Sequence, residues 1–106
     1  AILTDEMLSE ISYVQISSYR TKVMKSLDDD VKIPSQIAKD SNILQNHISA
    51  VLKQLKEHEL VECINPEVRK GRLYRLTGKG EEIVKNIGII LWYVEHILLY
   101  IIIYYH

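Results

Sequence analysis

The chain reads as a mainly α-helical fold carrying one small β-hairpin, an α+β arrangement, and three features of the sequence predict it. Two short amphipathic segments follow one another between residues 34 and 58. Two short β-prone runs flank the basic turn Arg69-Lys70-Gly71-Arg72. A long apolar segment then repeats at helical spacing to the end of the sequence. At 106 residues and 12.3 kDa, with 47% hydrophobic and 25% charged residues, the chain can build one core and has no biased tract that would suggest disorder.

The elements follow in order. Ser18 is read as the cap of a first helix to Leu27, with Tyr19, Val23 and Leu27 at steps of four turned to the core. Asp28-Asp29-Asp30 ends it, and Val31-Lys32-Ile33 is expected as a short strand. Pro34 suits the first position of the second helix, which runs to about Lys39 with Ile37 and Ala38 inward. Asn42 is read as the cap of a third helix, with Gln45 as its reciprocal partner. In that helix Leu44, Ile48, Val51, Leu52 and Leu55 make the apolar stripe, while Gln45, Asn46, Ser49, Ala50, Lys53 and Glu57 make the polar side.

Leu60 to Ile64 and Leu73 to Leu76 are predicted as strands, joined through the turn Asn65-Pro66-Glu67 and the cationic tip. Glu81 is expected to open the last helix. There Ile83, Ile87, Ile90, Val94, Ile97, Ile101 and Tyr104 alternate steps of four and three, which makes a heptad seam. Two helices, a ribbon with a basic tip and a closing helix describe a helix-turn-helix with a wing. The expected division is a winged helix-turn-helix DNA-binding domain at 1–80 and a hydrophobic dimerisation helix at 81–106.

Charge distribution supports a nucleic-acid partner more than the net charge of −1 does. Residues 1 to 30 hold six acidic side chains against three basic ones, whereas residues 43 to 80 hold seven basic against four acidic. Clustered cations of this kind can neutralise phosphates locally. One cysteine, Cys63, excludes an internal disulfide and a multi-cysteine zinc site. With no basic leader and cleavage motif at the start of the sequence, cytoplasm is the expected compartment.

Several motifs resemble the winged-helix transcriptional regulators of the broad MarR and ArsR type, and especially their small archaeal members. Ile37-Ala38, Ile48-Ser49 and Leu52-Lys53-Gln54-Leu55 resemble the positioning and recognition helices. Glu59-Leu60-Val61-Glu62 resembles the helix-to-wing junction, Arg69 to Tyr74 the wing, and Leu76 to Gly80 the lead-in to the last helix. The resemblance covers Ser18 to about Lys85. It departs from the family at Glu59, where glycine is usual, and at Ile33, where a threonine or serine cap is usual.

That resemblance implies a sequence-specific reader of double-stranded DNA. With the third helix in the major groove, Gln45 and Asn46 can contact adenine, Ser49 base or phosphate, and Lys53 phosphate or guanine. His47, between the two faces, is grouped with this set, although its simpler role is structural. Arg69, Lys70 and Arg72 are placed for the flanking backbone or a narrow minor groove. No arginine stands on the reading face, so a site leaning toward A·T pairs is expected.

A metal site built from Cys63, His47 and His58 is weighed and set aside, because one thiol is thin support for a set of three or four converging ligands and Cys63 in a strand is more simply a small buried hydrophobe. No nucleophile motif or glycine-rich phosphate loop points to catalysis, so neither an enzyme nor a cofactor is expected. For the last twenty residues two accounts compete. The heptad seam favours pairing with a second copy as a homodimer. A membrane crossing fits the length and the aromatics Trp92, Tyr93, Tyr104 and Tyr105, but sets Glu95 and His96 in hydrocarbon. The resulting expectation is a homodimeric regulator, and its alternative is a winged-helix protein-interaction module with or without a membrane tether.

Overall fold

A computed structural model describes residues 4–105, apart from the side chains of residues 89–91. The chain opens with a helix that the sequence reading does not contain. Helix α1 spans Asp5–Gln15, with the Thr4 hydroxyl accepting from the Met7 amide and Asp5 and Glu6 in its first turn. Met7, Ile11 and Val14 carry a helical spacing that signals it, and Ile11 and Val14 are fully buried.

Helix α2 spans Ser18–Ser26, and its cap is Ser17, one residue earlier than expected, whose hydroxyl accepts from the Arg20 amide. Val23 and Leu27 lie in the core, whereas Tyr19 stays at the surface. Residues 31 to 33 make no strand: Lys32 alone bridges to Tyr74 through two backbone hydrogen bonds. A proline at 34 leaves no amide there to extend the ladder.

Helix α3 spans Pro34–Ser41, two residues longer than predicted, with proline at its first position and no side-chain cap from Ile33. Asn42 does not cap the next helix. It closes α3 in the left-handed conformation at φ 57°, with its amide on Lys39 O and the Ile43 amide on Ala38 O. Asparagine tolerates this region, and the tight reversal between the two helices requires it.

Helix α4 spans Gln45–Glu57 and buries Ile48, Val51, Leu52 and Leu55. Leu44, expected in that stripe, stands at the junction 70% exposed. Glu59 ends the turn after α4 at φ 59°, and the Leu60 amide reaches Leu55 O while the Glu59 amide reaches Lys56 O. A carboxylate side chain thus holds a position where glycine has no steric cost.

Strands β1 (Val61–Cys63) and β2 (Tyr74–Leu76) pair antiparallel, with Val61 opposite Leu76 and Cys63 opposite Tyr74. Cys63 is half-buried rather than fully enclosed. Helix α5 spans Gly78–Tyr104 and is capped by Thr77, so it opens three residues before Glu81. Gly80 is required here, because a Cβ would collide with the carbonyl oxygen of Leu60.

Ile83 and Ile87 correct the heptad expectation, since both are buried in the chain's own core, where α5 packs on α1 and α2. They have no surface left to offer a second copy. Ile90 lies outside the described residues. Val94, Ile97, Ile101 and Tyr104 remain exposed.

Candidate nucleic-acid interface

Packing of α3 against α4 turns the polar side of α4 outward. Gln45, Asn46, His47, Ser49 and Lys53 are all exposed. Among the described residues no side chain caps the amino terminus of α4, which leaves the positive end of its dipole without a side-chain partner. His47 approaches the Tyr19 ring of α2, with centroids 5.6 Å apart, which places it at the margin of the face.

The wing is organised by two side chains whose structural roles the sequence did not reveal. Asn65 accepts from the Leu73 amide at 2.7 Å and donates to Gly71 O at 3.2 Å, closing the loop across its base. Arg72 donates from Nε to Val68 O at 2.7 Å and from its terminal amine to Pro66 O at 3.3 Å. Arg72 thus folds the wing through two of its donors while its side chain stays at the surface, a structural role beside the expected one toward phosphate. Gly71 turns the tip at φ 74° and carries Arg69 and Lys70 into solvent.

Ser49, Lys53 and Lys56 of α4 meet Arg72 and Tyr74 of the wing and Pro34 of α3 around a cleft of about 280 Å³. Of the expected set, Ser49, Lys53 and Arg72 come together there. Gln45, Asn46 and His47 lie at the amino end of α4, and Arg69 and Lys70 at the wing tip. Among the described residues Lys53, Lys56, Arg69 and Lys70 take part in no ion pair. Arg75 is paired with Glu62 at 2.7 Å on the surface of the hairpin.

Lys56 and Leu44 were missed by the sequence reading. Lys56 follows Ser49 and Lys53 at steps of four and three, a spacing that puts it in the same row. Leu44 carries no such signal, because only the left-handed turn at Asn42 decides that it leaves the core.

His58 ties α4 to α1 through its neighbours. Its Nδ1 lies 3.0 Å from Glu10 Oε2, and its ring stacks on Tyr13.

No protein-family model and no curated protein matches the chain. Solved structures do resemble it. ZitR from Lactococcus lactis aligns with a TM-score of 0.61 at 22% identity over 69% of this chain, which spans 51% of the length of that one. A MarR family transcriptional regulator from Silicibacter pomeroyi DSS-3 gives 0.62 at 19% identity, over 90% of this chain and 71% of that one. A homodimeric winged helix-turn-helix DNA-binding domain from Mycobacterium bovis, a possible ArsR-family regulator, gives 0.60 at 20% identity, over 88% and 82%. One of these neighbours is a MarR family regulator and another a possible ArsR-family one, and what this chain shares with them is the winged helix-turn-helix fold.

Proposed function

We propose that the chain is a sequence-specific double-stranded DNA-binding transcriptional regulator, non-enzymatic, cytoplasmic in its DNA-binding part and working as a homodimer. The small archaeal type indicated by the motifs belongs to the same reading. The observation that carries it is a pair of cations, in no ion pair among the described residues, beside a polar helix face: Lys53 and Lys56, with Ser49, line one wall of a cleft whose other wall is the wing. A phosphate ribbon fits such a cleft, and the amino end of α4 then meets base edges.

In this reading residues 1–80 bind DNA and residues 81–106 join two copies. Gln45, Asn46 and Ser49 read the groove, with His47 at its edge. Lys53, Lys56, Arg69 and Lys70 hold the backbone, and Arg72 keeps the wing in shape. Leu44, exposed next to Gln45, offers an apolar contact for a thymine methyl group, consistent with an A·T-leaning site. Val94, Ile97, Ile101 and Tyr104, with Ile90 by spacing, form the stripe facing the second copy. A two-fold pair sets its recognition helices about 34 Å apart, one helical turn of duplex.

The test is selection of bound duplexes from a random pool, followed by salt titration of the best one. Enrichment of an inverted repeat, with affinity falling steeply as salt rises, is the expected result. Failure to enrich any sequence, with no salt-sensitive binding, overturns the regulator reading.

A further inference from the structure

Beyond Ile87 the chain leaves its own core. Every described side chain from Trp92 to Tyr105 is exposed, and for the large hydrophobic ones the exposure runs evenly from 48% to 77% with no sheltered side. The molecule measures 58 Å along its long axis against 28 and 20 Å across, as a helix projecting from a small domain requires. We propose that this projecting part of α5 inserts into a lipid bilayer and tethers the winged domain to its cytoplasmic face. This goes beyond the DNA-binding reading and does not depend on it.

The choice of lipid over a second copy alone rests on what surrounds the helix. A pair built on Val94, Ile97, Ile101 and Tyr104 covers one side. Trp92, Leu99, Ile102 and Ile103 lie on the other side and remain uncovered, where a two-stranded coil in water carries polar residues. A bilayer covers all sides at once.

Length and charge agree. Gly88 to Tyr104 rises about 25 Å at about 1.5 Å per residue, within the range of roughly 17–25 residues that cross a hydrocarbon core. Tyr104 and Tyr105 then fall near the far interface, where tyrosine is favoured. Lys79 and Lys85 stand just before the apolar segment, so the bias of cations to the cytoplasmic side puts the winged domain in the compartment that holds DNA.

The two polar residues are partly accommodated by the helix itself. His96 Nδ1 donates to Trp92 O at 2.8 Å, and its ring stacks on the Trp92 indole at 3.9 Å, which satisfies one nitrogen and covers one face. Glu95 is left as the single charged residue of the span, on the side of the helix that carries Leu99 and Ile102, and its burial is the main cost of insertion.

The experiment is flotation of the full chain, synthesised in the presence of phosphatidylcholine vesicles containing a minority of phosphatidylglycerol. The protein is expected to float with the vesicles and to stay there through high-salt and alkaline washes. Leu99→Arg combined with Ile103→Arg places two cations on the outer side and should cut the floated fraction roughly tenfold or more. The variant's retained duplex-DNA binding or helical circular dichroism shows that it still folds. A wild-type chain that stays off the vesicles as a soluble dimer or larger assembly overturns the proposal in favour of a second copy. So does a folded double variant that floats as well as wild type. Lys53→Ala on vesicle-bound protein separates the two readings, since it should weaken DNA binding without changing flotation.

Discussion

The imidazole of His58 lies flat on the phenol ring of Tyr13, with centroids 3.7 Å apart and planes inclined by 12°. The Arg20 guanidinium carbon lies 3.9 Å from the centre of that same ring, so the two must occupy opposite faces. Glu10 then accepts from His58 and from Lys79, at 3.0 and 3.3 Å. Helices α1 and α2, the end of α4 and the start of α5 are tied at one point. Tyr13→Ala removes both stacking surfaces and should lower stability by about 2 kcal/mol. Urea unfolding followed by circular dichroism measures it, and an unchanged midpoint would show that the stack contributes nothing.

Glu59 occupies left-handed backbone at φ 59°. Releasing that strain outweighs the extra chain entropy of glycine, so Glu59→Gly should raise stability by about 0.5–1 kcal/mol. Glu59→Val, with a branched Cβ, should lower it. Paired thermal melts test the order, and equal melting temperatures for the three proteins would refute it.

Cations at the cleft should differ in kind. Lys53→Ala and Lys56→Ala each remove one phosphate contact, so the slope of log affinity against log salt should flatten by about 0.9 with little change in sequence preference. Arg72→Ala should instead loosen the Pro66–Val68 turn, since both of its bonds go to carbonyls there. Hydrogen exchange of the wing amides distinguishes them: faster exchange is expected for the Arg72 variant alone.

Leu44 gives a chemical test of base reading. Replacing thymine by deoxyuridine in the selected site removes one methyl group, and binding should weaken by about 0.8 kcal/mol if that methyl is buried on binding. Leu44→Ser should bind both duplexes equally. Equal loss in wild type and variant would place the methyl against another residue.

The residues themselves were enough to order most of this molecule. The periodicity of Ile48, Val51, Leu52 and Leu55 located α4 and its buried side. Alternating β-prone runs around Arg69-Lys70-Gly71-Arg72 located the hairpin, because both signals are local and repeat within a few residues. Glu59 in left-handed backbone stands where the resemblance leads one to expect glycine.

Tertiary structure decided what local pattern cannot encode. Asn42 suits either a cap before α4 or a left-handed stop after α3, and only the packing of the two helices selects the stop, which sends Leu44 out of the core. Arg72 reads as a free cation until the wing loop folds back and supplies carbonyls for it. Ile83 and Ile87 continue the same apolar repeat as Val94 and Ile97, yet the first two are enclosed by α1, a helix from the far end of the chain. Hydrophobic spacing identifies which side of a helix avoids water; which neighbour covers that side depends on contacts distant in sequence.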